Sequence, residues 1–236
     1  MRKVEVCLSP ELIHLYDPEE KIVVVVDIFR ATSTMISALA NGVTAITPVM
    51  DLETCKAYKD KGYIIAGERD GKRANGFEMG NSPVAFFEEN FQGKKLAMTT
   101  TNGTVAIEKT KSTAHAVLIG AFVNLSATAS FIQNQEKDVL ILCAGWKGKF
   151  NLEDSLYAGA LVSKLHPHFG TDCDSAIAMK SLYESNAHRQ QLFLGQASHA
   201  KRLQNSGIEK DIDFCLEVDK YDFIAILQGN EISILK

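Results

Sequence analysis

Short runs of β-branched and aliphatic residues recur along the chain, each ending in a polar tip and followed by a small-residue or amphipathic stretch. Ile22–Val26 leads into Asp27-Ile28-Phe29-Arg30 and a helix through about Leu39, closed by Asn41-Gly42 as a C-cap pair. Thr44–Val49 predicts a second strand, Asp51 an N-cap for a helix ending before Gly62, and Tyr63–Ala66 a third strand entering the long polar loop Gly67–Ser82. Ser82-Pro83 pairs an N-cap residue with proline at the first helical position, which predicts a helix opening there. Leu96–Met98 is a short strand entering Thr99–Thr104, with a helix after it. His115–Ile119, a helix near Leu125–Gln133, the strand Val139–Cys143 and a helix over about Leu152–Leu165 complete the series.

Strands that alternate with helices at this spacing need crossover connections, so the pattern predicts an α/β fold. The expected form is a three-layer sandwich with a largely parallel or mixed sheet. The last quarter departs from the alternation. Ser175–Tyr183 and Ala187–Leu203 look helical, and Phe223–Leu227 and Glu231–Leu235 flank Gln228-Gly229-Asn230 as a C-terminal β-hairpin. No Pro/Ser-rich linker or charge block divides the chain, so residues 1–236 read as a single unit, with two intimately packed α/β lobes of about 1–120 and 121–236 as the finer division.

Composition narrows the class. At 236 residues and 46% hydrophobic the chain has enough apolar material for a packed core, which excludes a disordered protein. Its longest apolar runs are strand-sized, and its first residues lack the continuous apolar core of a signal peptide, so neither a membrane span nor secretion is expected. Five cysteines, scattered and without a CxxC pair, read as reduced thiols in a cytoplasm. A net charge of −4 argues against a nucleic-acid binder, which needs a basic face. A small anionic ligand stays open, provided that its cationic partners are concentrated locally.

In open α/β sheets ligands bind at the carboxyl ends of strands, where helix N-termini offer free N–H groups. That rule selects four tips. In the first, Asp27 follows four valines and reads equally as a structural cap and as a metal ligand or phosphoryl acceptor; Arg30 adds a two-pronged donor suited to phosphate, carboxylate or sulfonate. The two-aspartate DxD pattern of haloacid-dehalogenase phosphatases is not met, because Phe29 stands at the second position. The second tip, Gly67–Ser82, interleaves glycines with Glu68, Arg69, Lys72 and Arg73, and a loop that long inside a compact domain usually has a function. The third, Thr99–Thr104, stacks hydroxyls, an amide and a glycine before a helix, reading as an oxyanion site or a plain Asn-Gly turn. The fourth, Gly145–Asp154, places Glu153 and Asp154 in the first turn of a helix capped by Asn151, where the helix dipole favours acids and a magnesium ion would find hard donors. Cys143 does not open the Cys-x5-Arg loop of tyrosine phosphatases, since Lys149 stands near the arginine's place, and it reads as a buried thiol. His166-Pro167-His168 reads as a solvent turn, whereas His199 and Arg202, three apart on one helical face, are better placed to line a site.

Taken together and in order, these segments resemble the 2-phosphosulfolactate phosphatase family (the ComB type). The matching stretches are VDIFRATST (26–34), ALANG (38–42), GER (67–69), GFEMGNSP (76–83), TTNGT (100–104), CAGWKGKFNLED (143–154), AG (158–159) and GIEKDIDFCLEVD (207–219). They span nearly the whole chain. Glu78 stands where the family usually has Asp, Ala200 near a frequent glycine, and Phe223-Ile224-Ala225 near a frequent Val-Pro.

The resemblance implies a Mg2+-dependent acid phosphatase that hydrolyses (R)-2-phospho-3-sulfolactate to 3-sulfolactate and phosphate, on the route to coenzyme M. On that basis Asp27, Arg30, Glu68 and Asp154 are the expected catalytic residues. Asp27, Glu68, Glu153 and Asp154 are the expected Mg2+ ligands, and Arg69, Asn81, Ser82, Thr100, Thr101, Asn102, Gly103, Thr104 and Lys149 the expected substrate contacts. The expected partner is a small anionic phosphate ester, with no nucleic acid and no membrane, and the expected assembly a homodimer. Two other readings keep the scaffold: a phosphatase for another small phosphorylated hydroxy acid, and a non-catalytic anion sensor.

Overall fold

The computed structural model describes residues 1–69, 71–204 and 208–235 of the chain. Gly207, which opens the last family-like stretch, lies outside them.

The all-valine run does what its composition dictates. A strand of five apolar β-branched residues has no polar face to show to water, so it must be covered on both sides. This strand, β2 (Ile22–Val26), lies between β7 (Ala116–Gly120) and β8 (Val139–Cys143), parallel to both, with every residue at most 1% exposed. On the other side of β8 come β1 (Arg2–Cys7) and the two-residue β9 (Phe169–Gly170), also parallel. A second parallel group holds β3 (Ala45–Pro48), β6 (Lys95–Thr99) and β4 (Ile64–Arg69) in that order. The short β5 (Lys72–Arg73) runs antiparallel at its edge.

The expected C-terminal hairpin joins the two groups. Its strands β10 (Ala225–Gln228) and β11 (Glu231–Ile234) sit in the middle of the sheet, β10 antiparallel to β7 and β11 antiparallel to β3. Among the described residues the result is one open, mixed sheet of 11 strands, ordered β5-β4-β6-β3-β11-β10-β7-β2-β8-β1-β9. The groups interleave along the chain: β1 and β2 belong with β7–β9, while β3–β6 make up the other.

Helices α1 (Ala31–Ala40) and α3 (Gly103–Thr110) pack together beside β2 and β7, while α4 (Leu125–Gln133), α5 (Leu152–Leu165) and α6 (Asp174–Asn186) form a second layer. The α5–α6 contact depends on Gly159, where a Cβ would lie 2.0 Å from the carbonyl oxygen of Met179. Asp51 caps α2 (Leu52–Ala57) through Thr54 N–H, as expected. No helix among the described residues is long and apolar enough to cross a membrane.

Three local expectations change. Strand β4 runs on through Gly67, Glu68 and Arg69, because its ladder with β6 extends to Gly67 opposite Thr99, and the chain then folds back as β5; this pairing overrides the low strand propensity of glycine and glutamate. Ser82-Pro83 opens only a four-residue 3-10 turn, Val84–Phe87, because the Ser82 hydroxyl is turned to Asp211 instead of to free N–H groups. The stretch predicted as one helix over Ala187–Leu203 is broken at Gly195 between α7 (Gln190–Leu194) and α8 (Ser198–Gln204), and α9 (Glu209–Cys215) follows.

Candidate active site

Parallel pairing sets the carboxyl ends of β2 and β8 side by side, and likewise those of β6 and β4. The antiparallel hairpin reverses one group relative to the other. Contacts of Gly103 with Asp27 and of Thr101 with Glu68 nevertheless bring these ends, and the starts of α1, α3 and α5, to one site. Their N-termini converge on Asp27, at the end of β2. Ala31 N–H at the start of α1 approaches Asp27 Oδ1 at 3.4 Å, and the Thr32 hydroxyl and N–H both bond the Asp27 carbonyl. From α3, Gly103 lies so close that a Cβ there would sit 2.9 Å from Asp27 Oδ2 and 2.7 Å from Ala31 Cβ. Any residue but glycine would push α3 off the carboxylate.

Glu153 and Asp154, in the first turn of α5, are fully buried. Asp154 accepts Ile28 N–H (2.8 Å) on one oxygen and Gly145 N–H (3.0 Å) on the other, locking the tip of β2 to the loop after β8. Glu153 Oε1 lies 2.6 Å from His199 Nδ1 on α8, whereas Glu153 Oε2 is buried with no hydrogen-bond partner. Glu68, at the end of β4, is similarly occupied: Oε1 accepts the N–H and hydroxyl of Thr101 (2.9 and 2.8 Å), and Oε2 accepts Gly71 N–H at 2.7 Å.

Gathering acids out of water raises their proton affinity. Burial is the main cause that pushes the Asp27 carboxyl up to about 6, with Glu68 and Glu153 adding to the rise while His199 and the Ala31 N–H oppose it. Burial, then Asp27 and Glu153, holds Asp154 well above the usual carboxylate range.

Asp27, Arg30, Glu68, Asn81 and Asn102 from the expected set line one narrow cleft, joined by Phe29, Gly71, Trp146 and His199. The Arg30 guanidinium is 5% exposed; it is ion-paired through Nη1 to Asp211 and donates from Nη2 to Gly71 O (3.2 Å). Asn81 Oδ1 is buried without a partner, and Asn102 Oδ1 accepts Lys147 N–H at 3.2 Å.

Other expected residues serve as framework. Thr100 and Thr104 bond each other reciprocally at the start of α3. The Arg69 guanidinium is taken by the Glu68 carbonyl (2.6 Å) and the Thr99 hydroxyl (3.1 Å), which ties β4 to β6. Lys149 closes its loop by backbone bonds with Trp146, and its exposed side chain is not among the groups lining the cleft. That loop requires Gly145, at φ +62°, where a Cβ would fall 2.4 Å from Lys149 O. Cys143 is a buried thiol whose ionisation burial opposes, and His166 and His168 are exposed.

Sequence reasoning passed over Asp211 and Trp146. An acid in the first turn of α9 looks like a response to the helix dipole, and a lone tryptophan in a loop carries no periodic signal. Trp146 stacks with His199 at 5.3 Å between ring centroids and carries the Arg202 guanidinium 4.6 Å above its ring, so α8 closes over the cleft as the His199–Arg202 spacing suggested.

The family model described as 2-phosphosulpholactate phosphatase matches residues 7–230. A probable 2-phosphosulfolactate phosphatase of Thermotoga maritima is 40% identical over 214 residues, covering 90% of this chain and 91% of its own. Proteins with the same designation from Gloeobacter violaceus (39% identity; 92% of each chain) and Prochlorococcus marinus (40%; 84% of this chain and 85% of its own) are similar over comparable lengths. Agreement over nearly the full length shows that this chain belongs to the 2-phosphosulpholactate phosphatase family, a family of phosphoric monoester hydrolases.

Proposed function

We propose that the protein is a Mg2+-dependent phosphatase that hydrolyses (R)-2-phospho-3-sulfolactate to 3-sulfolactate and phosphate, in a route to coenzyme M, as a cytoplasmic homodimer. The observation that carries this reading is the surroundings of Asp27, where buried carboxylates gather together with Arg30 and the N-termini of α1 and α3. Carboxylates suit a cation, and guanidinium with helix N–H groups suits a phosphoryl anion. A site built for both fits metal-assisted phosphoryl transfer better than anion sensing, which gains nothing from clustered acids.

The donor set fits the ion. Mg2+ takes one or two carboxylates, keeps several waters, and completes its shell with substrate phosphate oxygens. Glu153 Oε2 is buried without a partner, and Asp27 faces the cleft with its proton affinity raised by burial and, to a lesser degree, by neighbouring acids; these two would hold the ion. Glu68 and Asp154, whose oxygens already accept backbone N–H groups, would hold the loops around it. Among the described residues, no group of three or more His, Cys, Asp or Glu side chains is arranged to hold a metal ion, so the four carboxylates expected from the sequence do not stand together as one ligand set. When bound, the ion would supply positive charge to the phosphoryl oxygens.

The chain's own contribution is positioning and electrostatic preorganisation, the larger part of catalysis in phosphoryl transfer. Arg30 is held rigidly by Asp211 and Gly71 O, so its remaining donors keep their direction when substrate arrives. Gly103 lets α3 approach Asp27 and bring its N-terminal dipole to the phosphoryl group. Asn81 and Asn102 offer neutral amides to the rest of the substrate.

The test is phosphate release from 2-phospho-3-sulfolactate, with glycerol phosphates as comparison, with and without Mg2+. Mg2+-dependent release selective for the sulfonated ester is expected. Equal rates on all esters would replace the substrate, and no release with any ester would replace the reaction.

A further inference from the structure

The guanidinium of Arg30 does not stand alone in its cleft. Asp211, 181 residues away on α9, is 1% exposed, and its two oxygens are divided between two segments of the site. Oδ2 pairs with Arg30 Nη1, and Oδ1 accepts the Ser82 hydroxyl at 2.6 Å. Arg30 Nη2 continues to the Gly71 carbonyl, Gly71 N–H to Glu68 Oε2, and Glu68 Oε1 to Thr101. The chain of bonds thus runs from Ser82 through Asp211, Arg30, Gly71 and Glu68 to Thr101.

Two features make Asp211 more than a neutralising charge. A charge pair buried this deeply is weak evidence for stability, because desolvating both ions offsets most of their attraction. It does fix direction: a guanidinium is a planar fork, and occupying Nη1 and Nη2 sets the plane in which its other donors point. Ser82 also does not line the cleft, although it lies in the loop that carries Asn81. Its hydroxyl reaches the site only through Asp211.

We propose that Asp211 is the positioning residue of the site: held in place by the Ser82 hydroxyl, it orients Arg30 for the phosphoryl oxygens. This rests on the phosphatase reading above, in which Arg30 meets the phosphoryl group. Asp211 touches neither substrate nor metal in this account.

The experiment is a double-mutant cycle on the full-length protein, reading phosphate release and competitive inhibition by inorganic phosphate. The wild type comes first: no release from any phosphate ester removes the phosphatase reading itself, and the cycle is interpreted only on an active enzyme. Asp211→Asn is expected to lower kcat/KM about 100-fold, the scale of a misplaced catalytic group, and to weaken phosphate inhibition. Added to Arg30→Ala, it is expected to cause no further loss, because a residue that acts through Arg30 has nothing left to orient. Ser82→Ala, which removes one hydroxyl, is expected to cost about tenfold alone and nothing further beside Arg30→Ala. It carries the same test should Asp211→Asn lose cooperative thermal unfolding. Losses that multiply with Arg30→Ala, or variants with wild-type kcat/KM and phosphate inhibition, would overturn the proposal.

Discussion

Glu153 Oε1 and His199 Nδ1 meet at 2.6 Å across 46 residues of chain, and this contact brings α8 down onto the acids of α5. An ionised carboxylate only accepts hydrogen bonds, so with Glu153 ionised the proton of the pair sits on Nδ1. Glu153 Oε2 has no partner, so among the described residues His199 is the single hydrogen-bonding side chain that compensates a fully buried carboxylate.

Removing that compensation should be expensive. His199→Ala is expected to destabilise the protein by about 3 kcal/mol, because it leaves a buried carboxylate with no partner. Glu153→Gln combined with His199→Ala should recover most of the loss. Denaturant unfolding of the four proteins checks this; additive losses would show that the pair is not coupled.

The raised proton affinity of Asp27 sets a pH dependence with a definite sign. Its native value, about 6, lies above the ordinary carboxylate value, so between about pH 4 and 6 the folded state binds more protons than the unfolded one. Stability of the metal-free protein should therefore fall as pH rises through that window, by on the order of 3 kcal/mol from this group. Asp27→Asn should flatten the fall and raise Tm at pH 7. A wild-type Tm that climbs from pH 4 to 6 in parallel with the variant would contradict it.

Mg2+ should reverse that penalty. An ion held by Asp27 and Glu153 at 100 times its Kd stabilises the folded state by about 2.7 kcal/mol. That corresponds to a Tm increase of roughly 5–10 °C for a chain of this size. Asp27→Asn and Glu153→Gln should each abolish the increase, as read by thermal unfolding with and without MgCl2, while an undiminished shift would place the ion elsewhere.

Gly103→Ala tests the closeness of α3 to Asp27. The added methyl meets Ala31 Cβ at 2.7 Å and Asp27 Oδ2 at 2.9 Å, so α3 or the carboxylate must shift. Overpacking of this kind costs about 1–3 kcal/mol of stability. A shift at the reacting centre should also lower kcat by at least about tenfold. Wild-type kcat in a folded variant would separate α3 from the chemistry.

Gly159→Ala is the structural counterpart. Its methyl would fall 2.0 Å from Met179 O, between α5 and α6 and away from the cleft. Stability should drop by about 3 kcal/mol or more, because a backbone must move. The kcat of the folded fraction should stay within about twofold, which a combined unfolding and steady-state measurement would show.

Much of this molecule was legible in its residues. Helices over Leu125–Gln133 and Leu152–Leu165, the strand of valines before Asp27, and the caps at Asp51 and Asn151 stand where sequence alone puts them, because periodicity and capping are local. The carboxyl-edge rule likewise selected the four tips that supply most of the cleft. Pairings between distant segments were decided only by tertiary structure. It seated the terminal hairpin inside the sheet, turned Ser82 from its own helix to Asp211, drew Arg69 to Thr99, and left Lys149 outside the cleft. Each of these outcomes depends on which polar group lies nearest once the core has packed, and that distance has no counterpart in the spacing of residues along the chain.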